Sequence, residues 1–163
     1  MVSVANKPSF VEHNNLRFLI LDAPTDLNLD AYLAEFKAVN VTHLVRACEC
    51  GYNTDKVKKM GIEVHDLPFP DGEPPPDKVI TSWLKVCATT FANSNPKKAT
   101  IAVHCVAGLG RAPILVAIAL IENGIEPLNA VQMIRTKRKG AINVKQLSYL
   151  ENEYKPRKKC TIM

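Results

Sequence analysis

The chain has 163 residues, 47% of them hydrophobic, which suits one domain with a well-filled core and leaves little room for a second. Its formal net charge of +5 is concentrated in Arg135-Thr136-Lys137-Arg138-Lys139 and Lys155-Pro156-Arg157-Lys158-Lys159. Neither cluster carries the interleaved aromatic residues or motifs of a nucleic-acid binder, which excludes DNA and RNA as main partners. The longest apolar run, 112–121, is half the roughly twenty residues a bilayer span needs, and no secretory leader, repeat or Gly/Ser linker is expected.

In chain order, short apolar or alternating segments predict strands over 10–12 and 17–22, followed by a helix over 29–39 that Asn28 can cap. A third strand is expected over 41–46, running into Cys48-Glu49-Cys50, then a helix over 53–60 and a fourth strand over 62–66. A proline-rich loop, Pro68-Phe69-Pro70-Asp71-Gly72-Glu73-Pro74-Pro75-Pro76, precedes a helix over 77–92 whose Trp83, Leu84, Cys87 and Phe91 are core candidates. The β-branched run 100–104 reads as a buried fifth strand. Helices follow over 112–123, 128–138 and 144–154; Pro113 suits the first turn of the first of these and Gly124 stops it. The cations of 135–139 read as a solvated helix end favoured by the dipole. Strands alternating with helices imply an α/β sheet covered on both faces, with the domain at 1–154 and a basic tail at 155–163.

Between the fifth strand and the next helix lies His104-Cys105-Val106-Ala107-Gly108-Leu109-Gly110-Arg111-Ala112-Pro113. A loop at the C-terminal end of a strand, entering a helix, is where an open α/β sheet binds its ligand. Backbone N–H groups from Val106, Ala107, Gly108, Leu109, Gly110 and Arg111 can converge on one anion, aided by the positive end of the helix. Gly108 and Gly110 permit close approach, and the planar fork of Arg111 grips two phosphate oxygens. The same field favours a thiolate on Cys105, a nucleophile that would attack phosphorus to give a phosphocysteine; that route needs no metal or cofactor. The leaving oxygen requires a general acid, and Asp71 is the candidate, with Glu73 and Asp66 as competitors. Val106, Ala107 and Leu109 add no cation to the pocket floor, which favours phosphoprotein over polyanionic lipid as substrate.

Five cysteines, Cys48, Cys50, Cys87, Cys105 and Cys160, are an odd number that suits a reducing compartment, and a lone Cys-x-Cys is poor ground for a metal site. His13, His43 and His65 show no ligand spacing and are taken as structural, whereas His104 precedes the nucleophile and can help orient the loop. The chain closes on Cys160-Thr161-Ile162-Met163, a prenylation box whose terminal Met favours farnesyl, directly after the basic cluster Lys155 to Lys159. One lipid chain anchors marginally, and a basic cluster supplies the second contact to an anionic membrane surface. That combination places the protein on the cytoplasmic face of the plasma or endosomal membranes, and in the cytosol when unmodified.

His104-Cys105-x5-Arg111 resembles the motif of the cysteine-dependent protein tyrosine phosphatases, and HCVAGLGRAP is similar to one branch, the phosphatases of regenerating liver, or type IVA protein tyrosine phosphatases. Val45-Arg46-Ala47-Cys48-Glu49, Leu67-Pro68-Phe69-Pro70-Asp71-Gly72-Glu73-Pro74-Pro75, Ala117-Ile118-Ala119-Leu120-Ile121-Glu122 and Ile134-Arg135-Thr136-Lys137-Arg138-Lys139-Gly140-Ala141 extend the likeness from about Phe10 to the C-terminus. The resemblance implies a dual-specificity-phosphatase-like single domain around a mixed, mostly parallel sheet of about five strands flanked by helices on both faces. It implies Asp71 as general acid and a reversible disulfide between Cys48 and Cys105, with Cys50 left open as a rival. Most of the superfamily places Ser or Thr after the arginine; Ala112 cannot offer that hydroxyl to the departing thiolate, so slow hydrolysis of the phosphocysteine is expected. The family also implies a partner, the cyclin M magnesium-transport mediators, which insert an acidic loop into the pocket. Two roles are therefore expected, a low-turnover phosphatase and an interaction protein switched through Cys105; homo-oligomer formation is left open.

Overall fold

A computed structural model of the chain describes residues 4, 6–92 and 98–157. Five strands, β1 (Ser9–His13), β2 (Leu16–Leu21), β3 (Val41–Arg46), β4 (Glu63–Asp66) and β5 (Thr100–His104), form one sheet in the order β1-β2-β5-β3-β4. Only β1 runs antiparallel, turned back on β2 through Asn14-Asn15, where Asn14 takes the left-handed conformation that asparagine tolerates at φ 55°. The other pairings are parallel, so β2, β3, β4 and β5 all end on the same edge. The most buried strand, β5, lies in the middle, and every one of its residues is buried.

Six helices cover the sheet unequally. The helices α1 (Leu29–Ala38) and α2 (Asp55–Lys59) bury Leu29, Tyr32, Phe36 and Val57 against Leu19, Leu21, Leu44 and Ala102 on one face. On the other, α3 (Asp77–Phe91), α4 (Arg111–Glu122), α5 (Pro127–Lys137) and α6 (Val144–Asn152) pack against Phe18, Ile20, Val45, Ile101 and Val103. The apolar run of α4 is buried along its whole length from Ala112 to Ile121, which makes it the central post of this layer. The mixed sheet with helices on both faces is the expected architecture.

Local differences from the sequence expectation have plain causes. Asn28 makes no side-chain cap; it exchanges bonds with Thr25 instead, Thr25 N–H donating to Asn28 Oδ1 at 2.7 Å and Asn28 N–H to Thr25 Oγ1 at 3.2 Å. A register shift between Val41 and His43 against β5 lets Val41 and Leu44 share the α1 face although strict alternation would separate them. The helix α6 opens on a capping box: Asn143 Oδ1 accepts from Gln146 N–H, and Gln146 Oε1 accepts from Asn143 N–H. Beyond α6 the chain does not leave the domain at 154: Arg157 N–H donates to Glu122, and its guanidinium to Asp77 at 2.6 Å and Thr81 at 2.9 Å. One of the cations assigned to a free basic tail is therefore docked on α3, while Lys158, Lys159 and Cys160 lie outside the described residues.

Candidate active site

The loop after β5 is shaped by where its carbonyls go. Val106 O accepts from Ala23 N–H at 2.9 Å and Leu109 O from Ile142 N–H at 2.7 Å. Between them, Ala107 O and Gly108 O accept from the Arg138 guanidinium at 3.2 and 2.8 Å. Four successive carbonyls are thus held outward. Carbonyl and following N–H lie on opposite sides of a planar peptide, so the amides of residues 107–110 face into the loop. That is a nest for an anion, closed at its far side by the N-terminus of α4. Gly108 makes the approach possible: its φ is +70°, and a Cβ there would meet Arg138 Nη2 at 2.6 Å and Leu21 O at 2.8 Å.

Arg138 anchors this arrangement from below. Its side chain is 7% exposed and also donates to Ser9 Oγ at 3.0 Å, Ile20 O at 3.3 Å, Lys7 O at 3.3 Å and Asp22 Oδ1 at 2.6 Å. The expectation of a solvated helix end fails for this residue, because the chain turns inward after α5 and carries Arg138 under the loop. Arg135 is likewise engaged, donating to Ala141 O at 2.8 Å and Ile142 O at 2.7 Å. Those bonds fix Ile142 at φ 67°, a conformation rare for a β-branched side chain.

Cys105 sits at the base of the nest, 3% exposed, with Ala112 N–H 3.5 Å from its Sγ. Ala112 offers this amide and no side-chain hydroxyl. His104 is fully buried, with Nδ1 3.1 Å from Cys105 O and Nε2 2.6 Å from Tyr52 Oη. A carbonyl only accepts, so Nδ1 carries the proton and Nε2 accepts from the Tyr52 hydroxyl. Burial holds His104 at a pKa of about 4 and pushes Tyr52 up, so both stay neutral and the tautomer is fixed at pH 7.

Arg111 and the proline-rich loop meet at the pocket mouth. Arg111 Nη1 donates to Phe69 O at 3.3 Å, and Arg111 Nε lies 3.6 Å from Asp71 Oδ1, an ion pair too long for a hydrogen bond. Arg111 Nε is buried and has no hydrogen-bond partner among the described residues, so it is free to donate to an anion in the nest. Glu49, Pro68, Phe69, Pro70 and Arg111 line a cleft of about 400 Å3. The rival acids are occupied elsewhere. Asp66 is gripped twice by Arg46, at 2.6 and 3.0 Å, which lowers its pKa and keeps it ionised; Glu73 accepts from Lys145 at 2.7 Å. Asp71 remains exposed and next to Arg111. The N-terminus of α6 steadies its loop, Asn143 Nδ2 donating to Gly72 O and Gln146 Nε2 to Glu73 O, both at 3.2 Å.

The family described as "Swiss Army Knife protein, DSP-PTPase phosphatase domain" matches residues 15–153. The chain is 53% identical over 163 residues to a probable protein tyrosine phosphatase type IVA A of Dictyostelium discoideum, covering 99% of this chain and 96% of that one. It is 51% identical over 150 residues to the PRL-1 phosphatase of Drosophila melanogaster, covering 92% and 84%. The chain belongs to the type IVA protein tyrosine phosphatases. A putative protein tyrosine phosphatase from Leishmania major, 44% identical, superposes with a TM-score of 0.82 over 92% of this phosphatase and 99% of that chain. The protein is accordingly a cysteine-based protein tyrosine phosphatase, with phosphoproteins as its substrate class.

The remaining cysteines of the phosphatase separate by environment. Cys48 is buried, its thiol pushed up to about 12 chiefly by burial and next by the neighbouring Cys50. Burial also raises Cys50, which donates to Cys48 O at 3.5 Å and lies near Arg46. Cys87 is core, as expected. Three contributors to the site, Tyr52, Arg138 and the Asn143–Gln146 cap, carried no assigned role in the sequence; only the cap had a local signal, an Asn three residues before a Gln at a helix start.

Proposed function

We propose that the phosphatase acts through a phosphocysteine that forms quickly and hydrolyses slowly. The Cys105 thiolate attacks phosphorus in line while the amides of 107–110 and the Arg111 fork take the equatorial oxygens, and Asp71 gives a proton to the departing oxygen. The S–P bond forms as the ester P–O bond breaks. Water then attacks the phosphocysteine and gives a proton to the Asp71 carboxylate; the new P–O bond forms as the S–P bond breaks, and its electrons return to Cys105. The observation that carries the slow step is at Ala112: the departing thiolate has the Ala112 amide at 3.5 Å, and the residue after Arg111 brings no hydroxyl. A well-placed donor to a developing anion is worth about 2–4 kcal/mol, on the order of a hundred- to thousand-fold in rate.

The pocket also suits a docking role. Val106 and Leu109 are 61% and 40% exposed at its rim, and beside Leu109 a cleft of about 410 Å3 is lined by Lys7, Lys137 and Lys139. An apolar rim with neighbouring cations fits an inserted acidic loop, as in the cyclin M partner the resemblance implies. Cys48 is the resolving thiol that captures an oxidised Cys105 as a disulfide. Farnesylated Cys160 holds the enzyme at an anionic membrane; with Arg157 committed to Asp77, Lys155, Lys158 and Lys159 remain for lipid, together about 3 kcal/mol.

One experiment tests the catalytic proposal. Wild type and Ala112→Ser are mixed with an activated aryl phosphate, and phenol release is followed together with intact mass. Wild type gives a phenol burst and a lasting phosphate adduct on Cys105; Ala112→Ser gives faster steady turnover and little adduct. A cyclin M acidic-loop peptide added during the burst binds wild type only as the adduct decays. Equal turnover in the two proteins removes Ala112 as the cause.

A further inference from the structure

Away from the phosphate loop, the parallel pairing of β3 and β4 sets His43 opposite Glu63 and Val45 opposite His65. Paired residues and residues two apart share a face of a sheet, so His43, Glu63 and His65 project together toward α3. His43 Nδ1 and His65 Nε2 are 3.2 Å apart, and His65 Nε2 and Glu63 Oε1 are 3.7 Å apart. One donor atom from each of the three lies within 4.8 Å of the other two. We propose that His43, Glu63 and His65 form a site for a divalent transition-metal cation of the zinc type.

The spacing is the first support. A tetrahedral zinc with ligands at roughly 2.0–2.1 Å keeps adjacent donor atoms about 3.3–3.4 Å apart. The two ring nitrogens already stand close to that distance, and the exposed Glu63 carboxylate, 3.7 Å from His65 Nε2 and with all three donor atoms within 4.8 Å of one another, closes on the ion by side-chain rotation. The donor set is the second: two imidazoles and one carboxylate suit zinc and its neighbours, whereas magnesium and calcium prefer oxygen alone. Surroundings are the third. The three side chains open on a cavity of about 290 Å3 that Ser82 and Thr89 of α3 also line, so water can complete the coordination and be hydrogen-bonded there. Lys85 shares the lining and opposes a cation; the carboxylate of Glu63 offsets it. Glu63 is 70% exposed and His65 27%, which leaves the metal a path in from solvent. A bound ion would tie the short edge strand β4 to β3 just upstream of the Asp71 loop.

Zinc also seeks thiols, so the test must separate this site from Cys48, Cys50 and Cys105. Reduced full-length protein is titrated with Co2+, then with Zn2+ in competition, for wild type, His43→Gln, His65→Gln and Cys105→Ser. The expected result is one equivalent bound with tetrahedral d–d bands and no thiolate-to-cobalt charge-transfer band, retained in Cys105→Ser. Both histidine variants bind at least tenfold more weakly, and zinc raises the melting temperature of wild type but not of these variants. Their metal-free phosphatase activity matches wild type, which shows that they fold. A dominant thiolate charge-transfer band, unchanged affinity in the histidine variants, or no binding at millimolar metal overturns the assignment.

Discussion

Arg138 offers the most exacting test of how the phosphate loop is built. Replacing it by Met keeps most of the side-chain volume and removes every donor. Asp22, whose side chain is 13% exposed, then loses its cationic partner at 2.6 Å and keeps the Asn6 amide, and Ala107 O and Gly108 O lose theirs at 3.2 and 2.8 Å. Breaking a buried ion pair by deleting one member costs about 3–5 kcal/mol, because the other charge is left uncompensated. In a domain of this size each kcal/mol moves the melting temperature by roughly 2–4 °C, so the expected fall is roughly 6–20 °C. Function should fall as well: with two carbonyls released, the peptides of the nest can rotate, and kcat/KM drops at least tenfold at a temperature where both proteins are folded. Lys137→Met and Lys139→Met are the controls, since these neighbours are exposed and neutralising them should shift stability by about 0.5 kcal/mol or less. Scanning calorimetry and steady-state kinetics on an aryl phosphate read both quantities. If Arg138→Met melts within 2 °C of wild type with unchanged kcat/KM, the loop does not depend on this clamp.

Two further outcomes follow from buried chemistry and from the tail. An unfolded histidine takes a proton near pH 6.5, but folded His104 does so only near pH 4, so between those values the unfolded state binds one more proton and stability falls as pH falls. At about 1.4 kcal/mol per pH unit the loss is about 3 kcal/mol across the window. Urea titrations at pH 7, 6 and 5 should show a slope shallower by about one proton in His104→Asn than in wild type; parallel slopes would refute the buried neutral imidazole. Intact mass of the protein expressed in a eukaryotic host should show a farnesyl group on Cys160 with the last three residues removed, and an unmodified Met163 terminus rules out the anchor.

What the sequence disclosed was contiguous. Cys105 to Arg111 is one stretch, flanked by a β-branched strand and an apolar helix, and Asp71 stands in a proline-marked loop; each signal is complete within about ten residues. The residues it hid are joined only by the sheet. Tyr52 meets His104 because β3 lies beside β5, an adjacency set by strand order and not by spacing along the chain. His43, Glu63 and His65 meet through the register of β3 with β4, so no ligand spacing along the chain marks them. Arg138 looked like one cation among four at a helix end; its inward course depends on the turn after α5, for which no single residue gives a local sign.

One segment connects the phosphate loop and the Asp71 loop. Arg135 fixes the strained turn at Ile142; Arg138 and Ile142 N–H hold three carbonyls of the phosphate loop; Asn143 and Gln146 hold two carbonyls of the Asp71 loop. The phosphate loop and the Asp71 loop are therefore held by a shared strut between α5 and α6. A strut of this kind explains why a non-glycine residue sits at positive φ: a relaxed turn at Ile142 would carry its N–H away from Leu109 O and tilt the α6 cap away from Gly72. The cost of holding Ile142 there, about 1–3 kcal/mol for such a conformation, is offset by the two Arg135 bonds to Ala141 O and Ile142 O. Substitutions at Arg135, Arg138, Asn143 or Gln146 should then disturb binding of phosphate and protonation of the leaving group together, whereas changes at Asp71 disturb the second alone.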